Sequence, residues 1–128
     1  MSEPVWVTEK LVLMVHEMLL AEHGGLSGIR DAGLLQSALA KPQQQFSYQP
    51  ESRLFELATA YSFGLAKNHP FVDGNRGIAF TITAVFLELN GKVLNAPEAE
   101  VVVFYEGLAG GEVSKEALAK WLKDHCYD

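Results

Sequence analysis

Apolar residues recur along most of this chain at intervals of three and four, the spacing of helices with one buried face. Thr8 is placed to cap the first helix, with Glu9 in its first turn, where the helix dipole favours an acid. Leu11, Met14, Val15, Met18 and Leu19 follow as one apolar stripe. Gly24-Gly25 closes the helix, because glycine tolerates a left-handed cap. Asp31 is placed to cap a second, short helix carrying Leu34, Leu35, Ala38 and Leu39, and Pro42 is expected to stop it. Over residues 41–50 the helical period is lost. Phe46 and Tyr48 alternate there with polar neighbours, which is the period of a short strand.

A third helix is predicted from about residue 52 to residue 67, with Leu54, Leu57, Ala58, Tyr61 and Leu65 on one face. Asn68-His69-Pro70 ends it, since a residue before proline is pushed out of the helical region. A fourth helix starts at Gly74-Asn75 and runs to Leu89. Ile78, Ile82, Val85, Phe86 and Leu89 form one stripe, and Phe80, Ala84 and Leu87 lie on another face. A helix apolar nearly all round is expected at the buried centre. Pro97 suits the first position of a fifth helix, ending at Gly110-Gly111. Ser114 suits the cap of a sixth, bearing Leu118, Trp121 and Leu122. The predicted class is all-α: one domain over residues 1–128, a compact bundle of about six helices, with room for a small β-hairpin.

Composition narrows the function classes. A chain of 128 residues with net charge −6 and pI near 5.1 lacks the clustered cations that a phosphate backbone or an anionic membrane rewards. Neither partner is expected. Cys126 is the lone cysteine, so no internal disulfide can form and a reducing cytoplasm is the expected location. Met-Ser-Glu-Pro shows no secretory signal, and no apolar run approaches the roughly 18 residues of a membrane span.

Several chemical candidates fail. His16-Glu17 opens like a zinc-protease motif, but Leu20 stands where the second histidine belongs. His16 and His23 therefore read as helix-surface histidines. The glycine-rich stretch from Gly24 to Gly28 follows a helix rather than a strand, so it reads as a cap and turn, not a phosphate loop. Cys126 lies too near the end of the chain for a Cys-His nucleophilic pair.

His69-Pro70-Phe71-Val72-Asp73-Gly74-Asn75 is different, because it feeds the start of the most buried helix. The first turn of a helix offers unpaired N–H groups and the positive dipole end, an anion site. Gly74 lets a phosphate approach the backbone, and Asn75 adds a side-chain donor. Asp73 is a hard oxygen ligand suited to Mg²⁺, which usually arrives with substrate phosphates. His69 can take a proton from a hydroxyl near neutral pH. Together they suggest phosphoryl or nucleotidyl transfer. The same residues also read as a turn followed by an ordinary helix cap.

This segment resembles the Fic/Doc signature, H-P-F-x-D/E-G-N. The run from His23-Gly24-Gly25 through Gly28-Ile29-Arg30-Asp31-Ala32-Gly33-Leu34-Leu35-Gln36-Ser37-Ala38-Leu39, and Phe86-Leu87-Glu88-Leu89-Asn90-Gly91, are similar to its Doc (death-on-curing) branch. The resemblance covers nearly the whole chain. It implies a helical bundle that transfers a phosphate-containing group from a nucleotide triphosphate such as ATP to a protein hydroxyl. AMP is the usual group in the family, and phosphate, delivered to EF-Tu, in the Doc branch. It implies His69 as the base, Asp73 as the Mg²⁺ ligand, Gly74 and Asn75 on phosphate oxygens, and Phe71 as a core anchor. Residues 41–50, with Phe46 and Tyr48, correspond to the flap that aligns the target chain. The implied partner is a small Phd-like antitoxin acting in trans. The inhibitory Ser/Thr-x-x-x-Glu-Gly/Asn pattern is not evident, since Ser52 and Glu56 are followed by Leu57.

One position departs from the pattern. The family continues G-N-G-R or G-N-K-R, whereas this chain reads Gly74-Asn75-Arg76-Gly77. One helical step turns about 100°, so Arg76 does not simply replace the absent side chain. Either Arg76 reaches the phosphates and the chain is a working transferase, or clamping is lost and a catalytically silent, antitoxin-binding homologue remains.

Overall fold

The computed structural model describes residues 2–128. Six helices carry the fold: α1 (Glu9–His23), α2 (Ala32–Tyr48), α3 (Leu54–Asn68), α4 (Asn75–Leu89), α5 (Glu98–Gly110) and α6 (Lys115–Asp124). Side-chain caps form where expected. Thr8 Oγ1 accepts the Leu11 N–H, Asp31 Oδ1 that of Leu34, and Ser114 Oγ that of Ala117. Pro97 sits one residue before α5 as its cap rather than as its first helical residue.

The helices α3 and α4 form the centre, and α1, α2, α5 and α6 pack around them. Leu57, Tyr61 and Leu65 of α3 meet Ile78, Ile82 and Phe86 of α4 in one core, all fully buried. Polar groups in this core are paired. Ser62 Oγ lies 2.8 Å from Tyr105 Oη, Thr83 Oγ1 donates to the Ala79 carbonyl, and Tyr61 Oη accepts the Val7 N–H. Burial pushes both tyrosine pKa values up to about 12, so the hydroxyls stay neutral.

Three expectations are corrected. Pro42 does not stop α2, and residues 41–48 are helix, not a strand. An interior proline typically costs about 3 kcal/mol through a lost hydrogen bond and a clash with the carbonyl four residues back. Here Pro42 is buried, and Phe46 packs edge-on to Trp6 at 5.9 Å. That burial carries the helix past the proline. Phe46 and Tyr48 then point to different sides: Phe46 is half-buried, while Tyr48 is 88 % exposed. The helical phase, not a pleat, produces their alternation. The small antiparallel pair lies elsewhere and is no hairpin: β1 (Val93–Leu94) pairs with β2 (Cys126–Tyr127). The stripe of α1 is also turned. Val12 and His16 are its buried residues, whereas Met14 and Met18 are exposed. No helix is long and apolar enough to cross a membrane among the described residues.

Candidate functional site

The helices α3 and α4 are joined by a six-residue turn whose two ends are both left-handed. His69 caps α3 at φ +46°, the lone non-glycine with positive φ among the described residues, and Gly74 caps α4 at φ +79°. Left-handed backbone strains residues other than glycine, so neighbours must hold His69 there. Arg30 supplies much of that hold. Its Nε donates to the His69 carbonyl at 2.6 Å and its Nη2 to the Asn68 carbonyl at 2.7 Å. These are charge-assisted bonds to carbonyls at the C-terminus of α3, where a cation is favoured. The Arg30 and Asp31 N–H groups both donate to Pro70 O, and the Val72 N–H donates to Gly28 O. The segment between α1 and α2 thus runs beside the turn like a short strand.

Asn75 closes the turn from inside. It is buried, its Oδ1 accepts the Phe71 N–H at 3.0 Å, and its Nδ2 donates to Phe71 O at 2.9 Å. Nδ2 also lies 3.3 Å from His69 Nδ1. The paired bonds to Phe71 fix which end of the amide is nitrogen. His69 Nδ1 is consequently an acceptor, and a neutral ring carries its proton on Nε2. The lone pair able to take a further proton faces only this long contact.

Asp73 is exposed but held. Its Oδ1 accepts the Gly74 N–H at 2.9 Å and its Oδ2 the Leu26 N–H at 3.2 Å. Gly25 has to be glycine for two reasons: its φ is +124°, and a Cβ there would lie 2.9 Å from Asp73 Oδ2. Each carboxylate oxygen keeps a second acceptor position. No group of three or more His, Cys, Asp or Glu suited to a metal occurs among the described residues. This donor set fits Mg²⁺ of the kind held by one carboxylate, with phosphates and waters completing the octahedron.

His16 lies beneath the loop, not on a helix surface as expected. It is 3 % exposed, stacks on the Phe71 ring at 3.8 Å between centroids, and donates from Nε2 to the Asp73 carbonyl at 2.8 Å. His23, by contrast, is exposed. The signal for His16 was its spacing: it stands four residues after Val12, on the same helical face. Gly25 and Leu26 were legible only as turn residues, and Arg30 only as part of the run that resembles the Doc branch.

The open side of the loop is a hollow of about 520 Å³, lined by His69, Asp73, Gly74, Arg76, Gly77 and Glu106 among others. The first α4 amides without a helical partner, those of Asn75, Arg76 and Gly77, stand at its base. Arg76 Nη1 pairs with Glu106 Oε1 of α5 at 2.6 Å, both side chains about half exposed. A Cβ at Gly77 would meet only Leu19 Cδ1, at an ordinary contact distance of 3.9 Å, so the backbone there accepts a side chain. Beyond Gly77 a largely apolar groove of about 680 Å³ continues between α1, α4 and α5, past Leu19, Leu20, Phe80 and Val101.

The model of the Fic/DOC family matches residues 6–87, which span every loop just described. The chain belongs to the Fic/DOC family. It is 29 % identical over 119 residues to the protein kinase doc of Escherichia phage P1, covering 91 % of this chain and 92 % of that one. It is 40 % identical over 74 residues to the toxin Doc of Mycolicibacterium smegmatis, covering 57 % of each. The matched range includes His69 to Asn75, the turn between the two central helices. The flap expected over residues 41–50 is absent as a hairpin: α2 occupies that stretch as far as Tyr48, with Phe46 turned to the core and Tyr48 to solvent.

Proposed function

We propose that this Fic/DOC protein is a Doc-type toxin. It transfers a phosphate-containing group, phosphoryl or AMP, from a nucleotide such as ATP to a hydroxyl of a target protein such as EF-Tu. The observation that carries this reading is the shared hollow. A histidine, a fixed carboxylate and the free amides of a buried helix border one 520 Å³ space. His69 is the base and takes the hydroxyl proton on Nδ1, the incoming hydroxyl replacing the long Asn75 contact. Asp73 is the residue that would hold Mg²⁺, which supplies charge neutralisation at the phosphates. The amides of Asn75, Arg76 and Gly77, reached over the bare Gly74, receive phosphate oxygens. With both Asn75 side-chain donors engaged, this residue serves mainly to position His69 and Phe71. A Phd-like antitoxin is the regulatory partner, and the apolar groove beside the site suits a segment of it.

Arg76 and Gly77 favour a second reading, a homologue that still binds its antitoxin but clamps phosphate poorly. The Arg76 guanidinium is turned to Glu106, and Gly77 contributes no charge. Arginines on transferring phosphates are worth roughly 10³–10⁵ in rate. Calorimetry of Mg²⁺–ATP binding to the unaltered chain and to Gly77→Arg separates the two. Binding at micromolar concentration by the unaltered chain supports the transferase. Binding only after Gly77→Arg supports the disarmed homologue. Expression provides the cellular counterpart: growth arrest by the unaltered chain that His69→Ala abolishes would sink the second reading.

A further inference from the structure

The outer face of α3 forms the floor of a separate groove of about 700 Å³, walled by α2 and α6. Glu56, Thr59, Ala60, Phe63 and Lys67 line it as one stripe at helical spacing. The stripe ends two residues before His69. Lys67 Nζ lies 4.0 Å from where a Cβ on Gly111 would stand, and Gly111 caps α5, whose Ala109 lines the hollow at His69. Groove and hollow therefore adjoin at Lys67.

The groove departs from the acidic character of the chain. Lys41, Lys67 and Lys115 line it, and none makes an ion pair among the described residues. Lys115 Nζ sits 5.9 Å over the half-buried Phe63 ring. Lys41 lies one turn along α2 from Ala38, which abuts Gly64 of α3. Lys67 and Lys115 thus border the half of the groove nearer His69, and Lys41 borders its middle. Two acids share the groove. Glu56 is at the far end, where its Oε1 accepts the Arg53 N–H at 2.7 Å, and Glu116 is in the first turn of α6. Tyr48 stands exposed at that far lip.

We propose that this groove docks an acidic segment of the protein bearing the acceptor hydroxyl and leads it along α3 toward His69. An extended chain with carboxylates flanking one apolar residue matches the Lys–Phe63–Lys pattern. A nucleic acid matches it less well, because a phosphate at every step would also fall on Glu56 and Glu116, whereas a peptide can place its carboxylates beside the lysines alone. That the occupant is the modified protein rests on the transfer reaction proposed above; the preference for acidic peptide does not.

Fluorescence anisotropy with a labelled Glu-rich peptide containing one Leu and one Thr tests the groove directly, at low salt. The peptide is expected to bind the full chain. The double variant Lys41→Glu/Lys115→Glu should weaken binding about tenfold or more, and added salt should weaken it too. Lys10→Glu/Lys123→Glu, on exposed positions outside the groove, should leave it unchanged. Binding of Mg²⁺–ATP to the groove variant should also stay unchanged. The proposal is overturned if the acidic peptide binds no better than a Lys-rich one, or if both variants lose it equally. Tighter, equally lysine-dependent binding of a single-stranded RNA overturns it as well. Peptide binding without any ATP binding would keep the groove and remove the transfer reading. ATP binding without peptide binding would remove the groove alone.

Discussion

The two faces of the loop between α3 and α4 are built on opposite terms. The inner face, from His69 to Asn75, is held by the rest of the protein at nearly every polar group: Arg30, Gly28, Leu26, His16 and Asn75 each make a bond to it. The outer face, Arg76 and Gly77, has one half-exposed ion pair and open space. A site of this kind fixes the backbone that carries base and carboxylate. The side chains at the mouth of the hollow are left on the surface, where they can change without disturbing the fold.

Substitutions sharpen that contrast. The largest effect is expected at the point where frame and chemistry meet. His69→Gly should lower group transfer by about 10²–10⁴-fold, the usual contribution of a general base. It should also stabilise the fold by about 0.5–1 kcal/mol, because glycine accepts the left-handed cap. Radiolabel transfer and a denaturant midpoint measure the two. Asn75→Ala strips the inner face of three contacts and leaves buried Phe71 groups unpaired, at an expected cost of about 2–3 kcal/mol in guanidinium unfolding. Arg30→Met should cost about 1–2 kcal/mol through its two carbonyl bonds. The smallest effect belongs to the outer face. Glu106→Gln releases Arg76 and should raise nucleotide affinity by no more than about fivefold, with the unfolding midpoint unmoved, since exposed ion pairs are worth about 0–1 kcal/mol. A large loss of stability in Glu106→Gln, or none in Asn75→Ala, would erase the distinction.

Most of the helical frame was legible in the residues, because local signals and tertiary packing agree there. The caps at Thr8, Asp31 and Ser114 and the dense apolar run of α4 are such cases. The failures lie where packing overrides a local rule. Pro42 is a helix breaker by itself, yet burial of Pro42 and Phe46 carries α2 to Tyr48. His16 is polar, so an apolar-stripe reading of α1 settled on Met14 and Met18, which face solvent. The candidate site divides in the same way. His69, Asp73, Gly74 and Asn75 were visible because they are contiguous. Arg30, His16, Leu26 and Glu106 reach the loop from other segments, and no local pattern ties them to it.

The bond between Leu26 and Asp73 spans 47 residues and that between Arg76 and Glu106 spans 30. The hollow is lined by residues 69–77 and by α5, and its loop is braced from the segment before α2, so its parts leave a ribosome at different times. Until α5 has emerged and docked, a nascent chain carries the His69–Asn75 motif without the enclosure that would let it act. Domains fold as units, so under the proposed transfer reaction the protein is expected to be inert during its own synthesis and to become competent in one step. A truncation before Glu106 is expected to be harmless to the cell that makes it, however intact its motif.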